Sequence, residues 1–183
     1  MEKLIVAKFG GSAIGVDGEG LPVILDRITS LKSDSKGITV CSAPLTMVEG
    51  EKRSLTDVML NLGYNSANGN EVSMEIIEES YSKILQMVSE KYKPQCKEII
   101  DKMLGLATKS LTSTKMEGKF EDELRAKALA YSGEVLMSYV LNYILKSNDI
   151  ISDSVKLDDW PIITDNNIES TNFLFEQSNQ RIE

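Results

Sequence analysis

Val6-Ala7-Lys8-Phe9-Gly10-Gly11-Ser12 joins an apolar run, Leu4-Ile5-Val6-Ala7, to a pair of glycines. The run is short, partly β-branched and closed by glycine, which predicts a buried parallel strand. Two adjacent residues without Cβ let the backbone turn and leave bare N–H groups open to a ligand. With Lys8 at the strand end and the Ser12 hydroxyl beyond, such a turn would cradle phosphate oxygens. It is not a P-loop, in which lysine follows the glycines, nor the Gly-x-Gly-x-x-Gly fingerprint. The same residues also fit a strand that ends in a glycine turn with its lysine in solvent.

Downstream, the Gly-rich segment from Ile14 to Gly20 reads as a loop. A helix is expected from about Pro22, with Ile24, Ile28 and Leu31 on one face. Lys36-Gly37 closes the connection, and Ile38-Thr39-Val40-Cys41 predicts a second buried strand. Strand, helix and strand in this order make a βαβ unit, hence a parallel sheet with a right-handed crossover. Ligands of such sheets gather outside the carboxyl ends of the strands. Ser42, which follows the second strand, is therefore a candidate ligand contact, although it equally suits a cap on the next turn.

Leu45 to Ser54, with the charge run Glu49-Gly50-Glu51-Lys52-Arg53, has no period and predicts an exposed loop. A short helix should run from Ser54-Leu55-Thr56-Asp57 to Leu62 and stop at Gly63, with a turn over Asn65 to Asn70. Two amphipathic helices follow, one marked by Val72 to Tyr92 and one by Cys96 to Ala107, with Pro94 near the start of the second. Residues 108 to 120 read as a polar connector. Glu121 to Ser147 is the longest helical pattern, interrupted by Ser132-Gly133-Glu134. A glycine inside a helix costs ~1 kcal/mol against alanine, which signals close backbone approach or a break. Glu134 shares a face with Ala130, Met137 and Leu141. A carboxylate among apolar neighbours calls for a cation, such as a substrate ammonium group; an exposed glutamate on an amphipathic helix is the other reading. Asp149-Ile150-Ile151 predicts a short strand and Leu157 to Pro161 a turn. Ile162-Ile163 opens a second apolar run ending in Thr164-Asp165-Asn166-Asn167. The remaining tail is polar around Phe173-Leu174-Phe175.

The 183 residues suffice for one well-buried domain, and 1–183 is read as such. A formal charge of −8 with no basic cluster argues against nucleic acid or an anionic membrane as partner. The absence of histidine removes His-based triads and most zinc sites, and no protein metal site is expected. Cys41 and Cys96 fall on predicted apolar elements and read as small reduced core residues. No apolar run approaches the ~20 residues of a membrane span and the start lacks a secretory signal, so a cytoplasmic location is expected.

Taken in order, Lys8-Phe9-Gly10-Gly11-Ser12, Ser42-Ala43, Ser132-Gly133-Glu134 and Thr164-Asp165 resemble the motifs of the aspartate kinases, in the amino acid kinase family. The resemblance implies an α/β fold, a three-layer αβα sandwich with a mostly parallel sheet and a helical insert over about 54–147. It implies transfer of the ATP γ-phosphoryl group to the β-carboxylate of L-aspartate with Mg²⁺, in lysine and threonine biosynthesis. Carried over by position, Lys8 would be catalytic and, with Gly10, Gly11 and Ser12, bind the ATP phosphates. Ser42, Thr56, Glu134 and Asp165 would hold aspartate, with Glu134 facing its ammonium group. A homodimer is compatible with the family.

The chain departs from the family pattern at several points. Pro44 to Arg53 reads as an insertion, which makes Thr56 a displaced equivalent of the family threonine. Asp158-Asp159-Trp160 lacks the family's arginine, and Ile168-Glu169 replaces Phe-Gly. The later Gly-Arg-Gly-Gly-Ser-Asp segment is not in this sequence. The resemblance thus covers about the first half of a catalytic domain, and the isolated chain is expected to show little or no turnover. The alternative is a non-catalytic homologue acting as a regulatory or interaction partner.

Overall fold

The computed structural model describes residues 3–32, 35–155, 159–165, 167 and 170–182. They fall into two units, Met1–Ser152 and Asp153–Glu183. In the first, β1 (Lys3–Phe9) pairs in parallel with β2 (Ser35–Cys41), with Val6 opposite Ile38 and Phe9 opposite Cys41. Helix α2 (Leu21–Lys32) forms the crossover, with Pro22 in its first turn. The expected βαβ unit is present.

The two faces of this sheet differ. Side chains alternate across a strand, and Phe9 and Cys41 turn inward against the helical core. Leu4, Val6, Ile38 and Val40 are 60%, 63%, 50% and 46% exposed. The expectation of buried strands therefore holds for one face only, because helices cover the sheet on one side among the described residues.

Leu45 to Ser54, expected as a loop, is a hairpin of β3 (Leu45–Val48) and β4 (Glu51–Ser54). Glu49 and Gly50 both have positive φ, 51° and 84°, the conformation of a two-residue turn whose twist matches its strands. The charges of Glu51, Lys52 and Arg53 are exposed on it, as anticipated. A short turn of helix, α1 (Gly11–Ile14), begins at the second glycine of the pair. Strand β3 docks on the chain just beyond it: Asp17 N–H donates to Leu45 O at 2.7 Å and Leu45 N–H to Gly15 O at 3.0 Å.

Helix α3 (Leu55–Ala67) runs straight through Gly63, and its chain turns only at Asn68. The Phe120 ring lies 2.1 Å from where a Gly63 Cβ would stand, so this glycine is a seat for an aromatic ring and not a stop. Helix α4 (Glu75–Leu85) is shorter than the pattern to Tyr92 suggested, and α5 (Lys93–Glu117) is longer. The supposed connector after Ala107 continues α5. Thr108, Ser110 and Thr112 donate their hydroxyls to carbonyls four residues back, which lets polar residues stay helical. The helix ends at Gly118, with φ 67°. The long 121–147 pattern is two helices, α6 (Asp122–Ser132) and α7 (Glu134–Ser147), broken at Gly133.

Asp149-Ile150-Ile151 is not a strand. Asp149 takes φ 57°, which breaks extended geometry; Ile150 anchors in the core and Ile151 is 93% exposed. Tyr81, Met59, Ile77, Leu136, Met137 and Ile144 are fully buried and form the centre of the core. Cys96 is buried and Cys41 mostly so, both as free thiols. Burial pushes them up to about 12 and about 11, the Glu134 charge adding to the effect at Cys41. Both are thiol-form core residues, as expected. No helix among the described residues is long and apolar enough to cross a membrane.

In the second unit, Thr164 bridges Phe173 in antiparallel fashion. The polar tail is helical, α8 (Phe175–Ile182). Its buried Ser178 accepts from Ile163 N–H at 2.8 Å and donates to Leu174 O at 2.8 Å. Leu157 and Asp158 of the expected turn, Asn166, and the Ile168-Glu169 pair lie outside the described residues.

Candidate functional site

Strand pairing sets the first part of the site. Phe9 and Cys41 end their strands side by side, and Ser42 N–H donates to Phe9 O at 3.0 Å, extending the ladder one residue. Gly10 is extended, with φ −76° and ψ 169°, and opens α1. The first N–H groups of that turn, at Gly11 and Ser12, have no acceptor within it. The Lys8 amine curls over the turn, its Nζ 3.2 Å from where a Gly10 Cβ would stand. Lys8 and Ser12 are exposed.

The hairpin sets the second part. Leu55 N–H donates to Pro44 O at 3.0 Å, which closes the hairpin at its base. The start of α3 is thereby delivered beside the end of β2, with β3 lying against the chain after α1 and β4 carrying its charges outward. Ser54 caps α3, accepting from Thr56 N–H at 3.2 Å, and its Oγ lies 2.5 Å from Thr56 Oγ1. Thr56, in the first turn of α3, thus lies beside the end of β2.

The α6–α7 break sets the third. A Cβ on Gly133 would stand 2.6 Å from Thr56 Cγ2, 2.8 Å from Leu129 O and 3.6 Å from Ala43 Cβ. A Cβ on Gly11 would stand 3.0 Å from Ala43 O. The glycine turn, the end of β2, the start of α3 and the α6–α7 break therefore meet around Ala43. Glu134, the first residue of α7, leaves from this point, where a carboxylate suits the helix dipole. It is exposed in the first turn of α7, which corrects the suggested apolar surrounding, and the break at Gly133 separates it from Ala130 of α6.

Asp165 belongs to the second unit. Its carboxylate accepts from Asn172 Nδ2 at 2.6 Å and from the N–H groups of Asn172 and Asn167 at 3.1 and 3.2 Å. The Asn172 side chain first, then these amides, hold its carboxyl below the usual range. Locally Asp165 closes a turn.

Tyr81 lies within the amphipathic pattern from Val72 to Tyr92, which gave no sign of what its hydroxyl bonds to. The fully buried ring ends in a hydroxyl that donates to Ser132 O at 3.0 Å and Gly133 O at 3.1 Å. A phenol on a core stripe was the available signal, since a buried hydroxyl needs a partner. Burial first, then the Cys41 and Glu134 charges, push its ionisation well upward, so it remains a neutral donor. A groove of about 440 Å³ lies between α4 and α5; none of the expected site residues lines it. Among the described residues no group of three His, Cys, Asp or Glu could hold a metal ion.

A model of the amino acid kinase family matches residues 3–182. The chain belongs to the amino acid kinase family. Its α/β fold is aspartokinase-like: E. coli aspartokinase III in complex with lysine and aspartate (T-state) matches with a TM-score of 0.66 over 97% of this chain, at 16% identity. This family member covers 36% of that chain, about a third of its length. No curated protein sequence matches it.

Proposed function

We propose that this chain is the amino-terminal, amino-acid-binding part of an aspartate kinase domain, its helices between 55 and 147 forming the family insert. The observation that carries the reading is the convergence of Gly11, Ala43, Thr56 and Gly133-Glu134 at one point, with the Lys8 amine over the glycine turn. In this reading Gly10, Gly11 and Ser12 line the ATP phosphate site. Ser42 and Thr56 hold L-aspartate, and Glu134 takes its ammonium group. An oxygen of the β-carboxylate attacks the γ-phosphorus, the bond to the β–γ bridging oxygen breaks, and ADP leaves. Lys8 balances negative charge on the transferring group, work that consists mainly of positioning and electrostatics. Mg²⁺ would arrive with the nucleotide, held by phosphates and water rather than by a protein cage, as this ion commonly is.

Calorimetry with L-aspartate, L-glutamate and MgATP tests the reading: saturable binding of aspartate in preference to glutamate supports it. Lys8→Ala should weaken MgATP and leave aspartate unaffected; an equal effect on both removes Lys8 from the phosphate site. One observation favours a second reading. The aliphatic face of Leu4, Val6, Ile38 and Val40 is open, as a surface that meets another polypeptide would be. A chain that acts only as an interaction partner would bind none of the three ligands.

A further inference from the structure

One buried phenol holds both ends of the break from which Glu134 departs. The Tyr81 hydroxyl has a single proton, shared between Ser132 O at 3.0 Å and Gly133 O at 3.1 Å. Ser132 ends α6, and Gly133 O also accepts the N–H of Met137 at 2.9 Å, an opening hydrogen bond of α7. Removing this donor would take the Tyr81 bond from Ser132 O and leave Gly133 O, next to Glu134, with the Met137 N–H. The other wall of the break is close-packed, with the Thr56 methyl and Leu129 O against Gly133. The break is therefore held from two sides, by packing against α3 and by the phenol of α4.

Helix α4 is itself tied to the chain leaving the glycine turn. Lys83, two residues beyond Tyr81, pairs with Asp17 Oδ2 at 2.6 Å. One helix thus braces the exit of the turn and the departure point of Glu134.

We propose that Tyr81 is a positioning residue for the amino-acid ligand, acting through the α6–α7 break to fix the direction of Glu134. The proposal rests on the substrate reading above. Tyr81→Phe keeps the ring and removes only the donor. In calorimetry it should weaken L-aspartate binding by roughly tenfold, the scale of one buried hydrogen bond, and leave MgATP binding unchanged. In a Glu134→Gln background it should cause no further loss. A merely structural role would weaken both ligands and add to the Glu134→Gln effect; either result overturns the proposal. Incorporating p-aminophenylalanine at position 81 returns an N–H donor and should restore aspartate affinity.

Amide hydrogen exchange separates the two claims. Faster exchange at Met137 in Tyr81→Phe, with Ala107 and Leu111 of α5 unchanged, sustains positioning; unchanged exchange at Met137, or faster exchange everywhere, overturns it. Absence of aspartate binding by the unsubstituted chain would sink the substrate reading, and the exchange result would still decide whether Tyr81 fixes the break.

Discussion

Gly63 and Gly133 both sit inside apolar helical patterns, yet α3 runs through the first and the second divides α6 from α7. At Gly63 the space of the absent Cβ is taken by one flat partner, the Phe120 ring, itself edge-on to Tyr64 at 5.7 Å between centroids. The helix continues past it to Ala67. At Gly133 the space is taken by the Thr56 methyl and Leu129 O, while the Tyr81 phenol shares its one donor between the carbonyls of Ser132 and Gly133. Both glycines are thus places where another group approaches. Whether the helix survives depends on whether the newcomer is apolar or bonds to the backbone.

The contrast can be broken experimentally. Gly63→Ala forces a methyl into the Phe120 ring and should destabilise the chain by about 2–3 kcal/mol, near the upper end for overpacking. Phe120→Leu in the same chain should recover part of the loss, read from urea midpoints. An additive double variant would show that ring contact is not the cause.

Gly133→Ala meets the Thr56 methyl and a backbone oxygen. It should destabilise by about 1–2 kcal/mol and, unlike Gly63→Ala, weaken aspartate binding beyond what lost stability explains. Parallel calorimetry of the two variants makes the comparison; equal effects on binding would erase the distinction between seat and break.

Gly105 is the control. It lies mid-helix in α5 with nothing within 4 Å of a Cβ, so Gly105→Ala should stabilise by about 0.5–1 kcal/mol through helix propensity alone. A rise in melting temperature checks it.

The smallest effect concerns the brace between α4 and the glycine turn. Burial alone would raise the Asp17 carboxyl, but the hydrogen bond and charge of Lys83, with the Ser80 and Thr46 hydroxyls nearby, outweigh it and leave the carboxyl lowered. A lowered folded value contributes stability above the unfolded value of 3.8, lost as pH falls through the folded one. Lys83→Met should therefore cost a small amount of stability at pH 7, and the difference from the unsubstituted chain should fade below pH 3.8. A difference that persists at low pH would place the effect in packing.

Local chemistry was enough to read the βαβ start, the proline opening of α2, the reduced core cysteines and the interruption at Ser132-Gly133-Glu134. Each follows from alternation, periodicity or a residue that lacks a Cβ. The hairpin over 45–54 escaped because its turn is Glu49-Gly50 and its outer strand is charged, so hydrophobic alternation gave no signal. The length of α5 escaped because Thr108, Ser110 and Thr112 satisfy their own hydroxyls along the helix, a bond that composition does not reveal.

The sequence by itself determined which residue types could serve phosphate and amino-acid chemistry, and in what order they occur along the chain. Their meeting was decided only in three dimensions. Thr56 reaches Ala43 because Pro44 and Leu55 close the hairpin between them, and Glu134 departs from the same point because Thr56 and Tyr81 hold Gly133. These contacts join segments tens of residues apart. Periodicity reports only on neighbours along one element, so no pattern within a segment could encode them.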